Sequence, residues 1–177
     1  MAKWVNGAGA KTTRHATSWL IKRFVDPEAE ILYGATNEER EALVKREGAR
    51  LLYYHPHPHD TLDTIAKELG VNDAALPLFL GIIRTAAHGN GYIREQEGPG
   101  LGAVVRGLLM AGRDDDANLA TLTPVFDALY ANCQSEIGKG RSPVARPLTD
   151  NEKEGLAPAK QVIVVAGYEP ALAGQAR

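Results

Sequence analysis

Across residues 16–137 the apolar side chains recur at helical spacing, in stretches marked off by capping residues, glycines and prolines. Only short runs break that period. Trp19, Leu20, Ile21, Phe24 and Val25 give the first stretch an apolar face, and Asp26-Pro27 ends it, because the residue before proline avoids the α region. Thr36-Asn-Glu-Glu39 is a capping box, which predicts a helix over Asn37–Glu47. Asp60-Thr-Leu-Asp63 can cap the next helix, and Gly70 should stop it. A further helix is expected from residue 73 to about 87, with Pro77 tolerated near its first turn. Helices near residues 103–110 and 115–137 follow, and Pro124 should bend or interrupt the last. The five glycines of residues 88–102 read as a long loop. Three runs have β character: Lys3-Trp4-Val5, Ala29 to Tyr33 closed by Gly34, and Arg50 to Tyr54. The pattern predicts a mainly α (α+β) fold, a compact helical domain with a few short strands.

Beyond Ile137 the composition shifts to Gly, Pro and charge before the β-prone run Gln161-Val-Ile-Val-Val-Ala166. The chain therefore divides into a domain over residues 1–137 and an extended arm over 138–177. The arm either packs on the domain or crosses to a second subunit, making a homodimer. The 177 residues suffice for a real core, and aromatics at 6% leave it to Leu, Ile, Val and Ala. A net charge of −2 disfavours nucleic acid as a partner, since phosphate binding needs a basic excess; the basic stretch 139–146 reads as solvated. No apolar run approaches the roughly 18 residues of a membrane span, and the start lacks a signal-peptide core. The single cysteine, Cys133, excludes an internal disulfide and a multi-thiolate zinc site, so a reducing, cytoplasmic setting is expected.

The chemistry concentrates in His55-Pro-His57-Pro-His59-Asp60. In a β-type extension the three imidazoles share one face, whereas in polyproline II they fan apart, the conformation that proline favours. One or two ligands from the run are therefore expected. His59 and Asp63 stand four apart at a helix start, a spacing suited to one cation. Imidazole with carboxylate suits a divalent transition metal such as Zn, Mn or Fe. The bland alternative is an exposed loop in which Asp60 caps a helix and Asp63 complements its dipole. His88 is the best distant ligand, or else a C-terminal dipole partner, and His15 reads as a surface or capping residue. Arg14 and Arg23 can form an anion-binding wall, against the plainer reading of side chains lying along the helix surface. Asp114-Asp-Asp116 reads first as a helix cap. Asp127, set among apolar residues, needs a partner, and a structural ion pair ranks ahead of a metal. Cys133 reads as an inert buried thiol.

Three stretches together resemble a known family. Arg14-His-Ala-Thr-Ser-Trp19-Leu-Ile-Lys-Arg23-Phe-Val-Asp26-Pro-Glu-Ala-Glu is similar to the opening "DRxACPWLIRRFIDPxAE" of the C-terminal domain of chromate resistance protein B, ChrB. Asp60-Thr-Leu-Asp63-Thr-Ile resembles its "CTFDAL", with His55 at a position where the family carries histidine. Asp114-Asp-Asp-Ala-Asn-Leu and Val125-Phe-Asp127-Ala-Leu-Tyr130 resemble "DDHAML…VYDALY". The resemblance implies an association with chromate resistance, as a regulator or accessory protein, and a metal-dependent role. It makes His55 and Asp63 the preferred ligands, and Arg14, Trp19 and Arg23 part of a common framework. This chain departs from the pattern in several places. Asp60 stands for a Cys, Thr17-Ser18 for Cys-Pro, Asp116 for a His, and Ala120-Thr121 for a Glu-His pair. His57, His59 and His88 are its own.

The leading expectation is a metal-dependent enzyme, of hydrolase or lyase type, acting on a small anionic or oxygenated molecule. His55, His57 or His59, with Asp63 and His88, would hold the cation, Arg14 and Arg23 would orient an oxyanion, and Asp60 would serve as base. The alternative is a non-catalytic chromate or metal-stress sensor or accessory protein. A third reading is an interaction module with exposed histidines.

Overall fold

The three β-prone runs meet in one parallel sheet. The structure, a computed structural model, describes residues 2–9, 11–52, 61–88 and 95–143, without the side chains of 61, 63, 64, 88 and 109. Strands β1 (Lys3–Gly7), β2 (Glu30–Gly34) and β3 (Arg50–Leu51) lie in the order β2-β1-β3. Lys3 pairs with Glu30 through to Gly7 with Gly34, and Val5 pairs with Leu51 on the other side. Parallel neighbours need a crossover, supplied here by α1 (Thr12–Phe24) and α2 (Asn37–Glu47). The capping box holds as expected: Thr36 Oγ1 accepts from Glu39 N at 3.2 Å, the Glu39 carboxylate accepts from Ala35 N at 2.7 Å, and Gly48 closes the helix at φ +61°. The rest is helical: α3 (Thr61–Glu68), α4 (Leu76–His88), α5 (Gly98–Met110) and α6 (Asp115–Gly138). Among the described residues no helix is long and apolar enough to cross a membrane. The fold is thus mainly α, with the strands gathered at the N-terminal side. The run Gln161–Ala166 and the arm from residue 144 on lie outside the described residues.

The core is built largely of Leu, Ile, Val and Ala, as composition led to expect, with one aromatic cluster set into it. Trp19, 1% exposed, is surrounded by all three phenylalanines of the chain and by Tyr130, with ring centroids 4.6 Å from Phe79, 5.8 Å from Phe24, 6.1 Å from Phe126 and 5.6 Å from Tyr130. Few aromatics suffice because each buries so much surface. A smaller cluster of Trp4, Ile21, Ile31, Leu52 and Leu119 joins the sheet to α1 and α6.

Two helical expectations need correction. Helix α5 begins at Gly98, inside the stretch read as loop. Its glycines serve close packing: a Cβ on Gly98 would stand 2.3 Å from Thr85 Cβ, and one on Gly102 would stand 2.6 Å from the Ala86 carbonyl oxygen. The pair therefore lets α5 lie against the backbone of α4. Nor does Pro124 interrupt α6, which runs unbroken for 24 residues. Pro124 and Ala120, whose carbonyl loses its usual i+4 donor, are both on the exposed face, where water can replace the missing bond.

The basic stretch after α6 is not wholly solvated. Arg141 donates to Glu97 Oε1 at 2.5 Å and to Glu95 Oε2 at 2.7 Å, and Glu95 is 2% exposed. This clasp holds the end of α6 to the segment entering α5.

Two sets of variants test these packing arguments. By helix propensity alone, every Gly→Ala change within α5 should stabilise by about 0.5–1 kcal/mol. Gly100→Ala and Gly107→Ala, which meet nothing within 4 Å, should follow that rule in urea denaturation. Gly98→Ala should reverse the sign and cost about 1–3 kcal/mol through overpacking. Arg141→Ala should cost about 1–3 kcal/mol by removing a charge-assisted hydrogen bond from the buried Glu95 carboxylate. The Arg141 hydrogen bonds hold the Glu97 carboxyl below the usual range. A carboxyl depressed in the folded state stabilises above its unfolded value, near pH 4.3, and loses that contribution as pH falls. Arg141→Ala should therefore flatten the acid limb of the stability profile, and an unchanged limb would contradict the assignment.

Candidate functional site

Parallel strands send their carboxyl ends to one edge of the sheet, and the polar residues of the structure gather there. Asn6, near the end of β1, donates through Nδ2 to Arg14 O and to Ser18 Oγ, both at 2.9 Å, while its Oδ1 accepts from Gly7 N at 2.8 Å. These bonds fix the first turns of α1 against the strand. Gly9, at φ +91°, turns the chain into Lys11, the N-cap of α1. Gly9 N donates to Asp115 Oδ2 at 2.9 Å, so the loop is tied to the start of α6. Asp114 caps that helix through its Oδ1, 2.7 Å from Ala117 N, as expected for the acidic run.

Arg14 is 8% exposed, and its guanidinium donates to the Ala8 carbonyl beneath the Gly9 turn. Arg23 is exposed in the last turn of α1, nine residues and roughly 13 Å along the axis at 1.5 Å per residue. The structure does not bring the two arginines together. Lys22 turns instead to the Ala29 carbonyl at 2.5 Å. His15, expected at the surface, is 1% exposed, wedged between α1 and α6 with Nδ1 3.1 Å from Lys11 O and Nε2 3.3 Å from Asp115 O.

His55, His57, His59 and Asp60 lie outside the described residues. Asp63 belongs to the first turn of α3 and His88 is the last residue of α4, with the side chains of both outside the description. Among the described residues no three His, Cys, Asp or Glu side chains come together as a metal cluster.

Asp127, expected to take an arginine or a metal as its partner, meets an indole N–H among the described residues. Trp19 Nε1 donates to Asp127 Oδ1 at 3.0 Å, which carries the buried indole's polar end to the edge of the core. Cys133 is buried, and desolvation pushes its thiol up to about 11, in keeping with an inert group. Sequence reasoning passed over Asn6 and Asn118. The available signal for Asn6 was an amide closing an apolar strand just before Gly-x-Gly. Asn118, three residues beyond Asp115 in α6, gave none.

The first and last motifs thus meet: His15 and Trp19 from α1 stand against Asp115 and Asp127 from α6. No curated protein and no solved structure matches the chain. The family described as ChrB, C-terminal domain, matches residues 4–133, from β1 to the last turns of α6. That span covers both strand crossovers and the whole polar junction, and the chain belongs to the ChrB C-terminal domain family.

Proposed function

We infer that this ChrB-family chain serves chromate resistance as a metal-dependent enzyme acting on a small anionic or oxygenated molecule at the carboxyl edge of β1 and β3. The observation that carries this reading is the strand order. In open parallel sheets, ligands sit beyond the carboxyl ends of the strands, where the chain reverses its direction of travel across the sheet. Here β2 lies on one side of β1 and β3 on the other, which puts that point between β1 and β3. The Gly-rich loop leaves β1 there. Leu52, whose N donates to Val5 O at 2.9 Å, leads from the neighbouring strand to His55 three residues later.

Charge supports an anionic ligand at this edge. Lys11 and Arg14, 9% and 8% exposed, stand at the positive end of α1, whose first turn has no acidic residue. Arg14 orients the anion, and Asp60 is the base. Arg23, at the far end of α1, stays out of this edge. His55, His57 or His59, with Asp63 and His88, are the ligands assigned to a divalent Zn, Mn or Fe. When bound, such a cation supplies Lewis acidity toward a substrate oxygen or water.

Elemental analysis and thermal shift of tag-free protein test this reading. At least one equivalent of transition metal is expected, and His55→Ala and Asp63→Ala should each remove the equivalent held by the histidine segment. Arg14→Lys should keep the metal while weakening binding of a chromate or sulfate probe at least tenfold. Less than one equivalent, with no thermal shift on adding Mn, Fe or Zn, would overturn the metal. Metal and oxyanion binding without turnover of any small-molecule substrate would instead make the chain a sensor.

A further inference from the structure

Between the starts of α1 and α6 the structure collects lone pairs. His15 Nδ1 faces the Lys11 carbonyl oxygen at 3.1 Å, and a ring proton on Nδ1 satisfies that contact. A neutral imidazole has only one N–H, so Nε2 then presents a lone pair. That lone pair faces Asp115 O at 3.3 Å and Asp115 Oδ1 at 3.7 Å. Asp115 Oδ2 is engaged by Gly9 N, but Oδ1 is buried with no hydrogen-bond donor among the described residues. Asn118 repeats the pattern three residues on, on the same face of α6. It is 1% exposed, and its Nδ2 donates to Arg113 O at 3.0 Å, which fixes the orientation of the amide. Its Oδ1 is then a second buried acceptor without a donor.

We propose that His15 Nε2, Asp115 Oδ1 and Asn118 Oδ1 form a site for a divalent first-row cation, separate from the histidine segment after β3. Three observations converge on it. The ring is held by Nδ1–H on a backbone carbonyl, the usual outer-sphere support of a metal-bound histidine. The Nε2–Oδ1 separation of 3.7 Å is what two bonds of about 2.1 Å subtend at about 120°. One nitrogen and two oxygens, one of them charged, suit Mn, Fe, Co or Zn over softer ions. Of the cations around it, Arg14 donates to Ala8 O and Arg113 to Thr121 Oγ1, and Lys11 meets the ring through its backbone carbonyl. The exposed Gly9 turn and the Asp115 side chain, 15% exposed, give the ion a way in.

The rival arrangement is a doubly protonated His15 that satisfies both contacts and pairs with Asp115 without a metal. Mn2+ titration followed by the EPR signal of the free ion separates the two. It is run on the intact chain and on the variant His55→Ala/His57→Ala/His59→Ala/Asp63→Ala, with folding checked by circular dichroism. One equivalent of Mn2+ should survive in that variant, which keeps this site distinguishable from the one proposed above. His15→Gln should weaken that binding at least tenfold. Asn118→Asp decides the matter should His15→Gln fail to fold. With a cation in place, the added carboxylate should tighten Mn2+ about tenfold and enlarge the Mn2+-induced rise in Tm. With the protonated pair alone, it adds a second buried negative charge beside Asp115, lowers Tm, and gains nothing from Mn2+. Loss of all Mn2+ binding in the four-residue variant, or an unchanged affinity in Asn118→Asp, overturns the proposal.

Discussion

The burial of Trp19 organises the domain. Its indole lies at the one place where α1, α4 and α6 all meet, with Phe79 of α4 and Phe126 and Tyr130 of α6 against its ring. Such a side chain buries enough surface to dominate the core of a small domain, and its N–H must still find an acceptor. Asp127 supplies one at 3.0 Å. The contact therefore sets both the depth of α1 and its rotation. With that rotation fixed, Ile21 turns toward the sheet and Arg14, His15 and Ser18 turn toward the carboxyl edge. The polar junction follows geometrically from an apolar contact about one turn away along α1.

Much of the secondary structure was legible because its signals are local. The capping box at Thr36 and the left-handed glycine at Gly48 delimit α2 from within its own sequence, and the stop at Gly70, φ +68°, is equally self-contained. What was not legible depends on neighbours far away in sequence. Gly98 and Gly102 look like loop residues until Thr85 and Ala86 of α4 are seen against them. The parallel pairing of β1 with both β2 and β3 depends on which run lies beside which, and periodicity within a run carries no such information. Pro124 looked like a break because its exposure, which decides the outcome, belongs to the packed helix.

The candidate site was legible by residue type and not by arrangement. Arg14 was singled out as part of the framework, yet pairing it with Arg23 ignored the length of helix between them. His15 was assigned to the surface because an isolated histidine beside an arginine has no apolar signature. Its burial comes from α6, whose start is about a hundred residues away and is joined to it by the contact with Asp115.

The departures from the family pattern gain a physical sense from these placements. Ser18, where the family carries proline, accepts the Asn6 amide, and Thr17, where it carries cysteine, bonds back to Thr13 O at 2.9 Å. Both replacements are thus absorbed into the fastening of α1, and a thiol at position 17 is not needed for it. Asp116 and Ala120, where the family carries histidine and glutamate, both lie on the exposed face of α6. Asp115 and Asn118 face inward on the same helix, Asp115 against His15 and the Gly9 turn and Asn118 buried three residues on. The two faces of α6 are therefore separable: the outer one has changed at Asp116 and Ala120, while the inner one keeps Asp115 and carries Asn118 where the family pattern has methionine, so that an acidic and an amide oxygen stand there without a donor among the described residues.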